Sequence, residues 1–382
     1  MIGPLVALLA MQAVPETDPT ITVVGRKAID AEYAACRDGG CDPNREANAT
    51  LAYAQQQLLA GDYRGSRKAL KRAIRRHSQN AATHPDAVSA LYDANSTVAL
   101  HVGEHSDARR SGLRAIAILD RALGETHPRA VAAVAQRGSM EEKIGNLAEA
   151  EQSYKSAAKR ARAAGMPLLA DVVDLRRAWL LAARDQDVAA QKRLTRMADD
   201  AGADRRVRLQ AAVLAARVAR EREDYRTAER MIAMVGTQPA KSKPLLVWAP
   251  PINDAVNRSA EHARRYGMAS AATGATSGEI VPIRWVDVGF WVRPDGKVDE
   301  VEVLRGSKRQ GWAIPVLQSI EGRRYAAFAA TTGDPGNYRI ERFTFVAPAV
   351  IPINSLIKRN AGKPELRWLD ITDDPTRKLE TS

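Results

Sequence analysis

Thr83-His84-Pro85-Asp86-Ala87-Val88 and Thr126-His127-Pro128-Arg129-Ala130-Val131 are near copies, 43 residues apart and different only at the fourth residue. A second echo sets Gly61-Asp62-Tyr63-Arg64 beside Glu223-Asp224-Tyr225-Arg226. Between them Gly61, Gly103 and Gly145 stand 42 residues apart, and Asp185 and Glu223 take the next two turn positions. Five residues after each turn comes a small side chain: Ser66, Ala108, Ala150, Ala190, Ala228. Nine after come Leu70, Gly112, Tyr154, Leu194 and Ile232, and twelve after come Ala73, Ala115, Ala157, Met197 and Val235. Small-then-large spacing of this kind lets one helix approach its partner and dock a bulky side chain. A period near 42 is the signature of stacked supersecondary units, here a helix, a tight turn and a second helix.

Composition agrees. The 382 residues suffice for two or three domains. Hydrophobic content is 45% and charged content 27%, ordinary for a globular chain, while aromatic content is only 5%. Alanine dominates, which favours close-packed helices over a large β-sandwich. No run of eighteen apolar residues exists, so a standard membrane-spanning helix is excluded for the chain as written.

The repeats over residues 46–238 resemble the tetratricopeptide repeat, and the His-Pro-x-Ala-Val units resemble the longer form of kinesin-light-chain-like arrays. The resemblance implies a solenoid with a concave face that binds peptides or protein segments and has no chemistry of its own.

The net charge of +12 is local. Residues 46–280 carry 37 Lys/Arg against 26 Asp/Glu, residues 1–45 carry 4 against 6, and residues 281–382 carry 16 against 13. The basic residues alternate with acids, as at Arg217, Arg220, Glu221, Arg222 and Glu223, which reads as a solvated helical surface. The sharper alternative is a basic groove for an acidic partner. No nucleic-acid partner is expected, because no aromatic stacking set accompanies the charge. His101 and His105 lie four apart, but Gly103 interrupts them and no acid completes a metal motif, so no metal and no other cofactor is expected. His84 and His127 recur at equivalent repeat positions. Nucleophile-elbow, phosphate-loop, dinucleotide and zinc-protease patterns are absent, so the expectation is a binding protein and not an enzyme.

Ile2 to Val14 is a 13-residue apolar run matching the core of an export signal, so residues 1–14 are read as a signal peptide or partial anchor and the periplasm as the compartment. Membrane association is expected only through this segment, by an inner-membrane anchor if the true start lies upstream. The competing reading is a hydrophobic tail on a cytosolic protein. Residues 15–45 are expected to be mostly extended. Cys36 and Cys41 bracket Arg-Asp-Gly-Gly, and the two glycines allow a small disulfide loop, which persists in oxidising compartments; two free thiols are the alternative.

Residues 239–281 read as a linker. Pro239, Pro244, Pro250 and Pro251 break helices, Leu245-Leu246-Val247-Trp248 suits a strand or a docked extended segment, and 269–277 is a flexible Ala/Ser/Thr/Gly loop. Residues 282–347 read as a small α+β domain. Val286, Val288, Phe290 and Val292 alternate with polar or small neighbours, Pro294-Asp295-Gly296 turns the chain, and Val298, Val301, Val303 and Leu304 return. A short helix follows at 311–322 and a last strand at 338–346, where a phase slip between Ile340 and Phe343 fits a bulge. Residues 348–382 are left as a tail. The fold class is therefore an α-solenoid followed by a β-hairpin, a helix and a strand.

That second domain resembles the C-terminal domain of TonB-family energy transducers. The matching residues are Val286-Asp287-Val288-Gly289-Phe290, Asp295-Gly296-Lys297-Val298, Val301-Glu302-Val303 with Gly306-Ser307, and Arg323-Arg324-Tyr325. The resemblance implies an envelope protein that engages an outer-membrane partner, such as a TonB-dependent receptor or other transport component, by strand addition. It places the pairing edge on Tyr338, Arg339, Ile340, Glu341, Arg342, Phe343, Thr344 and Phe345, with a core strand as the alternative. Residues 19–26 resemble the box segment that such domains bind; a disordered terminus is the alternative. The competing function is a non-energised periplasmic scaffold or adaptor in envelope assembly or secretion.

Overall fold

The computed structural model describes residues 25–239, 242–250, 252, 283–308, 310–330, 333–350, 359–360 and 365–372. Residues 1–24, with the apolar run and most of the box-like segment, and the 269–277 loop lie outside the described residues. The chain falls into two compact units: Met1–Pro4, Thr126–Thr276 and Val286–Glu341 in one, and Leu5–Glu125, Ser277–Trp285 and Arg342–Ser382 in the other.

The second unit holds α1 (Arg26–Cys36), α2 (Pro43–Leu59), α3 (Tyr63–His77), α4 (Pro85–His101) and α5 (His105–Leu123). The first holds α6 (Pro128–Ile144), α7 (Leu147–Ala163), α8 (Pro167–Ala182), α9 (Asp187–Asp199), α10 (Arg205–Glu221) and α11 (Tyr225–Val235). From α2 onward the helices pair as five hairpins, each closed by the same turn. Gly61, Gly103, Gly145, Asp185 and Glu223 have φ of 82, 74, 85, 58 and 59°. The next residue sends its N–H back five places: Asp62 to Gln57, Glu104 to Ala99, Asn146 to Glu141, Gln186 to Leu181 and Asp224 to Ala219, at 2.8–2.9 Å. These bonds satisfy carbonyls that a helix end otherwise leaves bare. Asp62 and Asp224 then cap the following helix, accepting from the Gly65 and Thr227 amides. Two repeats thus keep the turn without glycine, at a cost of about 1 kcal/mol each. The small residues five places on (Ser66, Ala108, Ala150, Ala190, Ala228) are all at most 2% exposed.

Residues 15–45, expected to be mostly extended, contain α1 instead. Its sequence is alanine-rich and free of β-branched runs, and it has a surface to pack on. Ile29 is buried, Tyr33 stacks on Tyr53 at 3.9 Å between centroids, and Gln56 and Arg45 reach Asp30 and Glu32. Cys36 and Cys41 are joined as a disulfide, Cα–Cα 4.9 Å, tying the end of α1 to the start of α2.

The remaining elements are β1 (Leu246–Trp248), β2 (Arg284–Val292), β3 (Val298–Gly306), α12 (Ile314–Glu321), β4 (Arg324–Tyr325), β5 (Asn337–Val346), β6 (Ala349–Val350), β7 (Arg359–Asn360) and β8 (Glu365–Asp370). β1 pairs with β4, β6 with β7, and the four-stranded sheet runs β3-β2-β5-β8. The stretch 245–248 is thus a strand over three of its four residues. On β2, Val286, Val288, Phe290 and Val292 are buried as their alternation requires. Two expectations are corrected here. Tyr338–Phe345 is not an edge: β5 runs between β2 and β8, and Glu341 to Val346 are all buried. The tail at 348–382 is not separate from the sheet, because it supplies β8.

Two expected outcomes follow. Reducing the Cys36–Cys41 bond, or replacing both cysteines by serine, should lower stability by about 2 kcal/mol on loop-closure entropy, read from urea unfolding with and without reductant. Gly61→Ala should cost clearly more than Gly145→Ala. Both pay about 1 kcal/mol for the left-handed backbone, but a Cβ at Gly61 would overlap the Trp285 indole, while Gly145 has nothing within 4 Å. The difference, about 1–3 kcal/mol of overpacking, is read from the two unfolding midpoints.

Candidate functional site

In the second unit the ends of the helical hairpins hold extended chain. The backbone of β5 passes these turns with Arg342 pointing down. Its guanidinium donates to the Leu58 and Leu59 carbonyls at the end of α2, the latter at 2.6 Å, and lies 4.0 Å from the centroid of Trp285. A cation at a helix C-terminus meets the negative end of the helix dipole as well as bare carbonyls; the aromatic face adds a further attraction. These contacts give a side chain only 1% exposed its hydrogen-bond partners inside the fold. Two residues on, Thr344 meets the buried Tyr63 hydroxyl at 2.9 Å.

Tyr63 stands two places after the first turn. The residue two places after the second turn is His105, and it touches β8: Nε2 lies 3.2 Å from Arg367 and 3.4 Å from Glu365. The two turn residues serve the same surface, Gly61 under Trp285 and Gly103 under Ala347 and Pro348. Ile283, Trp285 and Leu369 complete the packing against the Ala47, Leu58, Leu70, Leu91 and Val98 cluster. Successive repeats therefore present a row of first-turn residues, and successive strands lie on it.

In the first unit the donor sits on the helix. Arg217 of α10 donates to the Leu246 and Val247 carbonyls of β1, at 2.6 and 3.0 Å. Burial, with the like charge of Arg323 adding to it, brings its guanidinium down to about 10, still protonated at neutral pH. Arg220 lies over Trp248 at 5.9 Å. The Ala326 amide donates to the Leu245 carbonyl, and Gln238 exchanges main-chain bonds with Ala327 and Ala329. Behind this ribbon Arg323 pairs with Glu341 at 2.8 Å; burial opposes its charge, but Glu341 and Tyr325 more than offset that and raise it.

Other residues singled out in the sequence are dispersed. His101 is buried and His105 serves β8, while His84 bonds Thr83 and His127 caps α6. Among the described residues no group of three His, Cys, Asp or Glu could hold a metal, and no helix is long and apolar enough to cross a membrane. Much of the basic excess is internally matched. Lys71 and Arg67 reach Asp107, and Arg162, Arg177 and Arg193 converge on the largely buried Asp174. Sequence reasoning missed Trp285 and the strand at 365–370, and it read Arg217 as part of a solvated surface and Arg342 as part of a pairing edge. The strand had a signal, since Glu-Leu-Arg-Trp-Leu-Asp nearly alternates charged and apolar residues.

No protein-family model matches the chain, and no curated protein matches it by sequence. Solved structures do show similarity. A protein described as a kinesin light chain with nearly identical TPR-like repeats, from Podosopora anserina, is 15% identical over 51% of this chain and 94% of its own, with a TM-score of 0.43. BtubC from P. vanneervenii is 14% identical over 57% of this chain and 92% of its own, TM-score 0.43. PilF from Pseudomonas aeruginosa is 13% identical over 60% of this chain and 90% of its own, TM-score 0.36.

Proposed function

We propose that this chain is an exported, non-energised scaffold of the cell envelope that binds partner proteins through extended segments and performs no chemistry of its own. One observation carries the reading: strands β1 and β5 are each held on a helical hairpin by an arginine–carbonyl fork. Arg217 bonds two carbonyls of β1, and Arg342 of β5 bonds two carbonyls of α2. The Arg217 contact to the main-chain carbonyls of β1 accepts many strand sequences, whereas the Arg342 contact fixes one residue of β5 over the end of α2; flanking side chains set register, which is how strand recognition generally works. The apolar run Ile2–Val14 and the Cys36–Cys41 bond support export. A TonB-like transducer, the alternative for the β5 region, would need the free edge of β5 that β8 now covers.

Compartment is tested with alkaline phosphatase fused after residue 60, the native upstream DNA retained. High activity beside a cytosolic reporter control is expected; an inactive phosphatase with an active cytosolic reporter would overturn export. The fork is tested by Arg217→Met and Arg220→Met. The first strands two carbonyls and should cost about 2 kcal/mol, with earlier proteolysis at β1. The second removes only a long cation–ring contact and should cost at most about 1 kcal/mol. Equal effects would sink the fork as the holding element.

A further inference from the structure

In the second unit, charge separates the first helix of each hairpin from the second. The first helices, α2 and α4, carry one Lys or Arg against three Asp or Glu. Of the second helices, α3 carries seven Lys or Arg and no acid, and α5 carries four against two. Both pack on α4, and Arg67 and Lys71 of α3 reach Asp107 of α5. Asp107, Arg110, Arg114 and Arg121 follow at spacings of three, four and seven, so they lie along the flank of α5 that Asp107 turns toward α3. Arg64, Lys68 and Arg75 fall on one stripe of α3, about 16 Å long at 1.5 Å per residue. These three are exposed, as are Arg114 and Arg121, and none of the five has an acidic partner among the described residues.

The stripe works against its own helix. Arg64 and Lys68, Lys68 and Arg72, and Lys71 and Arg75 are like charges one turn apart, an arrangement that destabilises a helix. Packing does not require them, since Tyr63, Ala69, Leu70 and Ala73 hold α3 from its buried face. An array of cations that opposes folding is relieved by an anionic ligand. Leu113, one turn on from Arg110, gives that ligand a second property. Of the large apolar side chains described in this unit it is the one left exposed, at 47%. The only tyrosine, tryptophan or phenylalanine on the two helices, Tyr63, is buried, so the face offers no ring on which a base could stack. Cations spread over two helices around a projecting leucine match a layer of anionic headgroups with hydrocarbon beneath it.

We propose that the outer face of α3 and α5 is a membrane-docking surface that binds an anionic lipid bilayer, with the cations on the headgroups and Leu113 at the acyl boundary. This goes beyond the scaffold reading. The contact is peripheral, needs no spanning helix and makes no use of the arginine–carbonyl forks.

The test is flotation of the full chain with vesicles of phosphatidylcholine, alone or mixed about equally with phosphatidylglycerol. Binding is expected only to the anionic vesicles, and it should vanish at about 1 M salt, where the screening length is about 3 Å. Inorganic phosphate at matched ionic strength should not displace the protein. Arg64→Gln, Lys68→Gln and Arg75→Gln together should weaken binding about a hundredfold, each cation near an anionic surface being worth about fivefold. Because these changes remove like-charge pairs, the unfolding midpoint should stay or rise. Leu113→Gln should weaken binding to vesicles but not to duplex DNA, which has no apolar layer. The proposal is overturned if binding survives the triple change, or falls as far when the exposed Lys155, Lys159 and Lys192 are neutralised in its place. Equal attachment to both kinds of vesicle, as the apolar run Ile2–Val14 would give, overturns it too. So does duplex DNA that binds more tightly than the vesicles, because the face would then read a polyanion and not a bilayer. None of these outcomes touches export or the Arg217 fork, so failure here is distinguishable from failure of the scaffold reading.

Discussion

Every hairpin depends on one hydrogen bond, from the amide just past the turn to the carbonyl five residues earlier. That bond requires a left-handed residue, and the left-handed residue reverses the chain sharply enough for the small side chain five places on to sit against the preceding helix. Ser66 shows the coupling directly, its hydroxyl donating to the Ala54 carbonyl across the hairpin at 2.8 Å. Ser96 does the same to Ala108 in the next repeat. The turn also fixes where the first residue of the second helix points. In two repeats that residue, Tyr63 or His105, receives a strand.

The repeat was legible because its constraints are local. A positive φ wants glycine, a close helix approach wants a small side chain, and both recur at fixed spacing. The non-glycine turns at Asp185 and Glu223 were legible by register alone, where composition would have passed over them. The β2–β3 hairpin was legible for the same reason, with a two-residue period and a Pro-Asp-Gly turn. What the sequence hid was non-local. Arg342 looks like a surface residue of an alternating strand, and nothing near it in the chain announces the carbonyls of Leu58 and Leu59. Arg217 sits in a run of basic residues that reads as solvated, yet it grips β1. The assignment of Tyr338–Phe345 to an edge failed because the neighbouring strand comes from a part of the chain read as a tail.

The buried polar groups show how such pairings are made specific. Arg342, Arg323 and Asp287 are each enclosed, and each meets a particular partner: helix-end carbonyls, Glu341, and Arg305. A buried charge adds little net stability. Its misplacement is costly, however, so these groups penalise a slipped register far more than an apolar contact would. A two-residue slip would keep every side chain on its own face, so apolar alternation alone would leave such slips open.

Helix α1 has a consequence of a different kind. A solenoid ends wherever its next repeat would have begun, and the last helix there offers an apolar flank shaped to receive another hairpin. On α2 that flank is covered by a single helix, with Arg26 and Lys27 exposed and Asp30 and Glu32 bonded back to Gln56 and Arg45 of α2, and the disulfide fastens its far end in place. Among the described residues, that flank is closed by α1 in place of a further hairpin. The cross-link makes that cover covalent, and a covered, polar end face is what a stacked array needs to stay soluble.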